Sequence, residues 1–198
     1  VTGGTAIGNG VDYTLAAGTL TFPAGTTTQN ISLVLNNDSM VEGSENLVIN
    51  LSNAGNALIG SNSNFTFTIT DDDIAGVTIT PSGASTDITE GGATDSYTVV
   101  LTSQPSSDVT ISFGTGTQVS AISNLTFTNA NWNTAQTVTV SAVNDNMVEG
   151  AHTQSITHTA TSADANYNGI TIISVTANIT DNDTAGVTIT QTGTTDIT

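Results

Sequence analysis

Apolar and hydroxyl residues alternate through most of this chain. The segments "ISLVL" at 31–35, "TFTIT" at 66–70, "VTIT" at 77–80 and "TVTVSAV" at 137–143 place every second side chain on one face. A period of two predicts half-buried β-strands rather than helices. Thr and Val suit a pleated surface because their branched Cβ atoms are stiff and pack laterally. Clusters such as "GTGT" and "NNDS" punctuate the alternation as turns. No stretch shows amphipathic helical spacing. Short strands with frequent turns predict antiparallel sandwiches.

A repeat is superimposed on this pattern. "DDDIAGVTITPSGASTDIT" from Asp71 returns as "DNDTAGVTITQTGTTDIT" from Asp181, a period of 110 residues, which is the size of one sandwich domain. "NNDSMVEGSE" at 36–45 matches "VNDNMVEGAH" at 143–152, and "GTLTF" at 18–22 matches "SNLTF" at 123–127. The phase predicts three parts: residues 1–73 as a partial sandwich lacking its first strands, 74–183 as a complete one, and 184–198 as the first strand of a following repeat. The partial unit is expected to be completed by a covalent neighbour or by another chain.

Charge sharpens the picture. The 198 residues include no Lys or Arg against 17 Asp plus Glu, a formal charge of −17. Without cations the chain cannot displace counterions from nucleic acid, clamp phosphoryl groups, form Schiff bases or dock on anionic lipid. A Lys–Asn isopeptide staple is excluded on the same ground. Cys is also absent, which removes disulfides, thiolate metal sites and Cys nucleophiles. No apolar run approaches membrane-spanning length, and "VTGGTAIGNG" lacks a signal-peptide layout. A chain with no tryptic site suits an extracellular setting, secreted or on a cell surface. No serine-hydrolase elbow, zinc-protease helix or phosphate loop occurs, so the expectation is a protein that is not an enzyme.

The carboxylates are clustered. All four glutamates lie in repeated motifs: Glu42 and Glu45 in "DSMVEGSE", Glu90 in "TEGG" and Glu149 in "DNMVEG". Asp71, Asp72 and Asp73 crowd one repeat boundary, and Asp181 and Asp183 the next. Adjacent carboxylates repel unless a cation or raised pKa values compensate. Several hard oxygen donors on loops, with no Cys and few His, favour Ca²⁺ over Zn²⁺, Cu²⁺ or Mg²⁺.

The ordered series "GVDYT", "GTLTFPAG", "ISLVLNNDSMVEGSENLVINLSN" and "FTITDDD" resembles the Calx-beta domain. The family occurs in sodium–calcium exchangers and in tandem arrays of bacterial surface and matrix proteins. The resemblance implies a seven-stranded immunoglobulin-like sandwich with Ca²⁺ at one tip. Its ligands would come from the first strand, the loop before the sixth strand and the acidic exit linker. Transferred to this sequence, the complete repeat would use Glu90, Asp145, Glu149, Asp181 and Asp183. The first unit would use Asp12, Asp38, Glu42, Glu45, Asp71, Asp72 and Asp73. The complete repeat departs from this set, with Thr117 near the place of Asp12, His152 for Glu45 and Asn182 for Asp72. It is expected to hold fewer ions, or to hold them more weakly.

The remaining signals read as structure. His152 and His158, six apart on one strand, share a face and read as surface or packing residues. Trp132 and Tyr167 stand at turns and read as plugs of the sandwich edge rather than carbohydrate platforms. The functional expectation is a non-catalytic, calcium-stabilised structural repeat of an extracellular filament, matrix or adhesin protein. Its partners would be neighbouring repeats or identical subunits in a fibre. The alternatives are a module that binds a surface glycan or protein, and a calcium-sensing regulatory domain.

Overall fold

The alternation read from the sequence becomes rows of inward apolar side chains, most completely at 47–49, 97–101, 109–111 and 175–179. A computed structural model describes residues 1–193, which contain strands and loops but no helix. Hence no helix there is long and apolar enough to cross a membrane. The chain folds as two units, Val1–Ile74 and Ala75–Thr198.

The first unit contains β1 (Gly3–Gly4), β2 (Tyr13–Leu15), β3 (Leu33–Leu35), β4 (Glu45–Asn50) and β5 (Asn64–Ile69). One sheet has the order β1-β4-β5, and β2 pairs with β3. Leu47 and Ile49 of β4 and Tyr13 of β2 form its buried core, with Leu33, Phe67 and Ile69 packed against them. "GTLTF" at 18–22 forms no strand, unlike its counterpart at 123–127.

The second unit contains β6 (Val77–Pro81), β7 (Thr86–Thr89), β8 (Asp95–Leu101), β9 (Val109–Gly114), β10 (Leu125–Phe127), β11 (Gln136–Val140), β12 (His152–Ser162) and β13 (Val175–Thr180). They form a sheet β11-β8-β6 and a sheet β10-β9-β12-β13-β7. Tyr97, Val99 and Leu101 from the first meet Ile111, Ile156, Ala177 and Ile179 from the second in one core. In β13 burial alternates without exception, with Val175, Ala177 and Ile179 inside and Thr176, Asn178 and Thr180 outside. The fold is all-β, an immunoglobulin-like sandwich.

Two details differ from a purely antiparallel, seven-stranded arrangement. The opening strand is divided: β6 pairs with β8, the chain bends after Pro81, and β7 crosses to the other sheet. Proline has no N–H for a ladder and so suits the point where pairing stops. β7 then runs parallel to β13, whereas every other strand pair among the described residues is antiparallel. Beyond Asp183, residues 184–193 are exposed and carry no strand, and the rest of the strand expected over 184–198 lies outside the described residues.

Two polar links cross the core. Tyr167, fully buried between β12 and β13, donates its hydroxyl to the Ser103 carbonyl at 2.7 Å and accepts from the Ser103 amide at 3.1 Å. The Ser103 Oγ lies 2.8 Å from the same hydroxyl. His158 on β12 joins the two sheets. Its Nε2 is 2.9 Å from the Tyr97 hydroxyl on β8, and its Nδ1 is 2.8 Å from the Ile173 carbonyl. A carbonyl only accepts, so Nδ1 carries the proton and Nε2 accepts from Tyr97. The Tyr97 and Phe113 rings meet the imidazole edge to face. Burial holds His158 below the usual imidazole range, with the Ile173 carbonyl partly opposing, and pushes the Tyr97 phenol up.

Two outcomes follow from these links. Tyr167→Phe keeps the ring but strands the polar atoms of Ser103, and is expected to cost about 1–3 kcal/mol in denaturant unfolding. The unfolded His158 takes up a proton as pH falls through about 6.5, while the folded one resists it. Stability is therefore full above that pH and declines below it. The melting temperature should fall between pH 7.5 and 5.5, and His158→Gln, whose amide oxygen can still accept from Tyr97, should flatten that slope.

Candidate metal centre

Each unit gathers its carboxylates where a loop meets the exit linker. In the first unit, Asp12, Asp38, Glu42, Glu45, Asp71, Asp72 and Asp73 line a single cleft. Asp12 precedes β2 and is 6% exposed, and the Ile7 amide donates to its carboxylate. Asp38 caps its loop by accepting from the Met40 amide at 2.8 Å. Asp71, two residues past β5, accepts from the Glu42 amide at 2.6 Å and the Asp73 amide at 3.1 Å. Asp12, Glu42 and Glu45 place carboxylate oxygens within 4.8 Å of one another, as do Asp71, Asp72 and Asp73.

Crowding appears in the proton equilibria. Glu42 is raised by burial and then by Asp38, Asp12, Asp71 and Asp73. Glu45 is raised first by a hydrogen bond shared with Asp12, then by burial and charge. Asp73 is raised by burial and then by Asp71, Asp72 and Asp38. These shifts describe negative charge held together without a protein cation.

The second unit repeats the scaffold. Asp145 caps its loop through the Met147 amide at 2.7 Å, as Asp38 does through Met40. Asp181 accepts from the Glu149 and Gly150 amides, both at 2.7 Å, and from Asp183 at 2.8 Å, reproducing Asp71. The Asp183, Gly150 and Glu149 amides lower the Asp181 carboxyl against burial, with His152 adding a smaller effect.

Glu90 follows β7 directly and is the residue that the first unit has no counterpart for. It is 1% exposed, and its carboxylate lies near the Asp145 backbone amide without a well-formed hydrogen bond to either oxygen. Burial raises its pKa, Asp181 adds to the effect, and the Asp145 backbone opposes it. Glu90 groups with Asp181 and Asp183, and also with Glu149 and His152, in each case within 4.8 Å. One oxygen of Asp183 is also buried and unpartnered. The turn after Glu90 needs glycine: Gly91 has φ +58°, and a Cβ there would sit 2.7 Å from Asn144 Oδ1.

The departures noted in the sequence acquire roles, and one is moved. The counterpart of Asp12 is Gln118, not Thr117. The Asp12 carbonyl accepts from Asn36 at 2.9 Å, and the Gln118 carbonyl accepts from the matching Val143 at 3.0 Å. The one-residue offset arises because the two loops approach the shared bridge with different lengths, which spacing alone does not reveal. Gln118 donates its amide to Glu149 Oε1 at 2.7 Å, so a neutral donor stands where the first unit has a third acid. Asn182, in the place of Asp72, donates to the Glu90 carbonyl at 2.8 Å and to Asn144 Oδ1 at 2.7 Å, tying the exit linker to the end of β7. His152, read as a surface or packing residue, borders the cluster, with Nε2 3.7 Å from Glu149 Oε2. Tyr167 is fully buried and Trp132 is half-buried against the core.

The donors suit a hard divalent cation. Ca²⁺ takes six to eight oxygens in flexible geometry, from carboxylates, carbonyls and water. A buried carboxylate with both oxygens unsatisfied is costly unless a cation or a proton neutralises it.

Residues 1–73 and 84–192 match the Calx-beta domain. Among solved structures, the chain is similar to the one titled "Crystal structure of CBD12 from CALX1.2", at 19% identity over 90% of this chain and 84% of that one, with a TM-score of 0.39. No curated protein matches the chain. With most of its length in those two matching stretches, the chain belongs to the Calx-beta domain family.

Proposed function

We propose that this chain is a non-catalytic, calcium-binding structural repeat of an extracellular filament, matrix or adhesin protein. The observation that carries the calcium reading is Glu90, a fully buried carboxylate without a well-formed hydrogen bond, set against Asp181 and Asp183. In the second unit Glu90, Asp145, Glu149, Asp181 and Asp183 would hold the ion. In the first, Asp12, Asp38, Glu42, Glu45 and Asp71 to Asp73 would do so. The cation supplies positive charge that the chain itself lacks.

The mechanism is mechanical. Asp71 and Asp181 already fasten the exit linker of each unit to the amides of its own loop. Neutralising the surrounding carboxylates removes the repulsion that loosens this fastening, so each repeat stiffens at its tip. In an array without disulfides or isopeptides, such joints would set the rigidity of the whole. The extracellular setting is supported by the absence of Lys and Arg, which leaves trypsin-like proteases no cleavage site. Identical subunits or neighbouring repeats are the proposed partners.

Thermal unfolding with Ca²⁺ and with a chelator tests this reading. Ligand at about 100 times its dissociation constant stabilises a folded state by about 2.7 kcal/mol, so a clear rise in melting temperature is expected. Asp181→Asn with Asp183→Asn should remove the gain assigned to the second unit, and Asp71→Asn with Asp73→Asn that of the first. Identical melting with ion and chelator would leave the carboxylates as solvated charge and reject the proposal.

A further inference from the structure

The two units do not offer the same donors at corresponding corners. Asp12, Glu42 and Glu45 form an all-oxygen group in the first unit, and Gln118, Glu149 and His152 take their places in the second, with Glu90 added. We propose that the corner formed by Glu90, Glu149 and His152 is a separate site for a divalent transition-metal ion that accepts imidazole, beside the calcium site of the same tip. This rests on the reading of that tip as a cation site.

Three observations converge. First, the His152 Nδ1 lies 2.8 Å from the Gly150 carbonyl. That carbonyl can only accept, so Nδ1 bears the proton and Nε2 presents its lone pair. Fixing the tautomer of a ligating histidine through a carbonyl on its other nitrogen is the usual outer-shell arrangement of metal sites. Second, Nε2 is buried without a hydrogen-bond partner, 3.7 Å from Glu149 Oε2. Ligands on a tetrahedral zinc ion stand roughly 3.3 Å apart, given bonds of about 2.0–2.1 Å. Third, Gln118 occupies Glu149 Oε1 and leaves Oε2 free, while Glu90 brings a fully buried carboxylate without a well-formed hydrogen bond.

The three donors come from separate positions: the end of β7, the loop before β12, and the first residue of β12. Strand pairing fixes two of them, since Thr89 and His152 lie on neighbours of the same central strand, β13. Glu90 belongs to both groups, which places the two sites side by side at this tip. Imidazole with carboxylate suits Zn²⁺ and its neighbours, whereas Ca²⁺ prefers oxygen throughout. The first unit, with Glu45 in place of His152, is the internal control.

The test is a calorimetric titration of the full chain with Zn²⁺ in saturating Ca²⁺, beside His152→Glu and His152→Gln, with nitrogen NMR of the histidine rings in the unsubstituted protein. One zinc site is expected. His152→Glu replaces the nitrogen donor with the carboxylate that the first unit has there, and should weaken zinc by more than the roughly 10–100-fold loss typical of removing an outer-shell partner, while keeping calcium. Zinc, but not calcium, should shift the His152 Nε2 resonance and leave His158 unchanged. Calcium binding with no zinc binding, or zinc binding indifferent to His152, would overturn the proposal and leave the calcium reading intact. If neither ion bound, the tip would hold only a Glu149–His152 ion pair, and both readings would fall.

Discussion

Carboxylates brought together without lysine or arginine must be held by backbone amides, by protons or by an external cation, and the tips of this protein depend on that constraint. Amides account for part of the balance. Asp181 collects three and has a lowered pKa, and Asp71 collects two. Each ties an exit linker to its loop and so fixes where the remaining acids stand. Glu42, Asp73 and Glu90 are raised chiefly by burial and repulsion, and Glu45 first by the hydrogen bond it shares with Asp12. The amides thus build the frame, and the unsatisfied carboxylates create the demand for a cation.

The sandwich of the second unit makes this demand sharper. β6 and β7 divide one strand between two sheets, and the division delivers Glu90 to the edge of β13, beside Asp181 and Asp183. A glutamate on an ordinary exposed turn would be hydrated and unremarkable. Here it follows Thr89, which pairs with Thr180, and its own amide donates to the Thr180 carbonyl at 3.0 Å. Gly91 and Asn182 close the turn over it. The site is a consequence of topology as much as of charge.

Much of this was legible in the residues because strand patterning and repeated motifs are local. Period-two alternation located β3, β5, β6 and β11, and the repeat aligned Asp38 with Asp145 and Asp71 with Asp181, pairs that make matching hydrogen bonds. What the sequence left hidden depends on contacts between distant segments. Gln118 was displaced by one position because only the Val143–Gln118 bond sets the register of its loop. The parallel pairing of β7 required knowing that the chain changes sheets after Pro81. His152 looked like a packing residue because its tautomer and neighbours are set by Gly150, Glu149 and Glu90 in space.

The most direct measurement is the unfolding free energy of Glu90→Gln against the unsubstituted chain, in chelator and in saturating Ca²⁺. The Glu90 side chain has no well-formed hydrogen bond, and an amide oxygen can still face the Asp145 backbone, so removing the charge relieves a poorly compensated burial. The account predicts opposite signs: the variant is more stable in chelator and less stable with calcium. A variant whose stability differs from that of the unsubstituted chain by the same amount in both conditions would show that no ion meets Glu90, and would contradict the account.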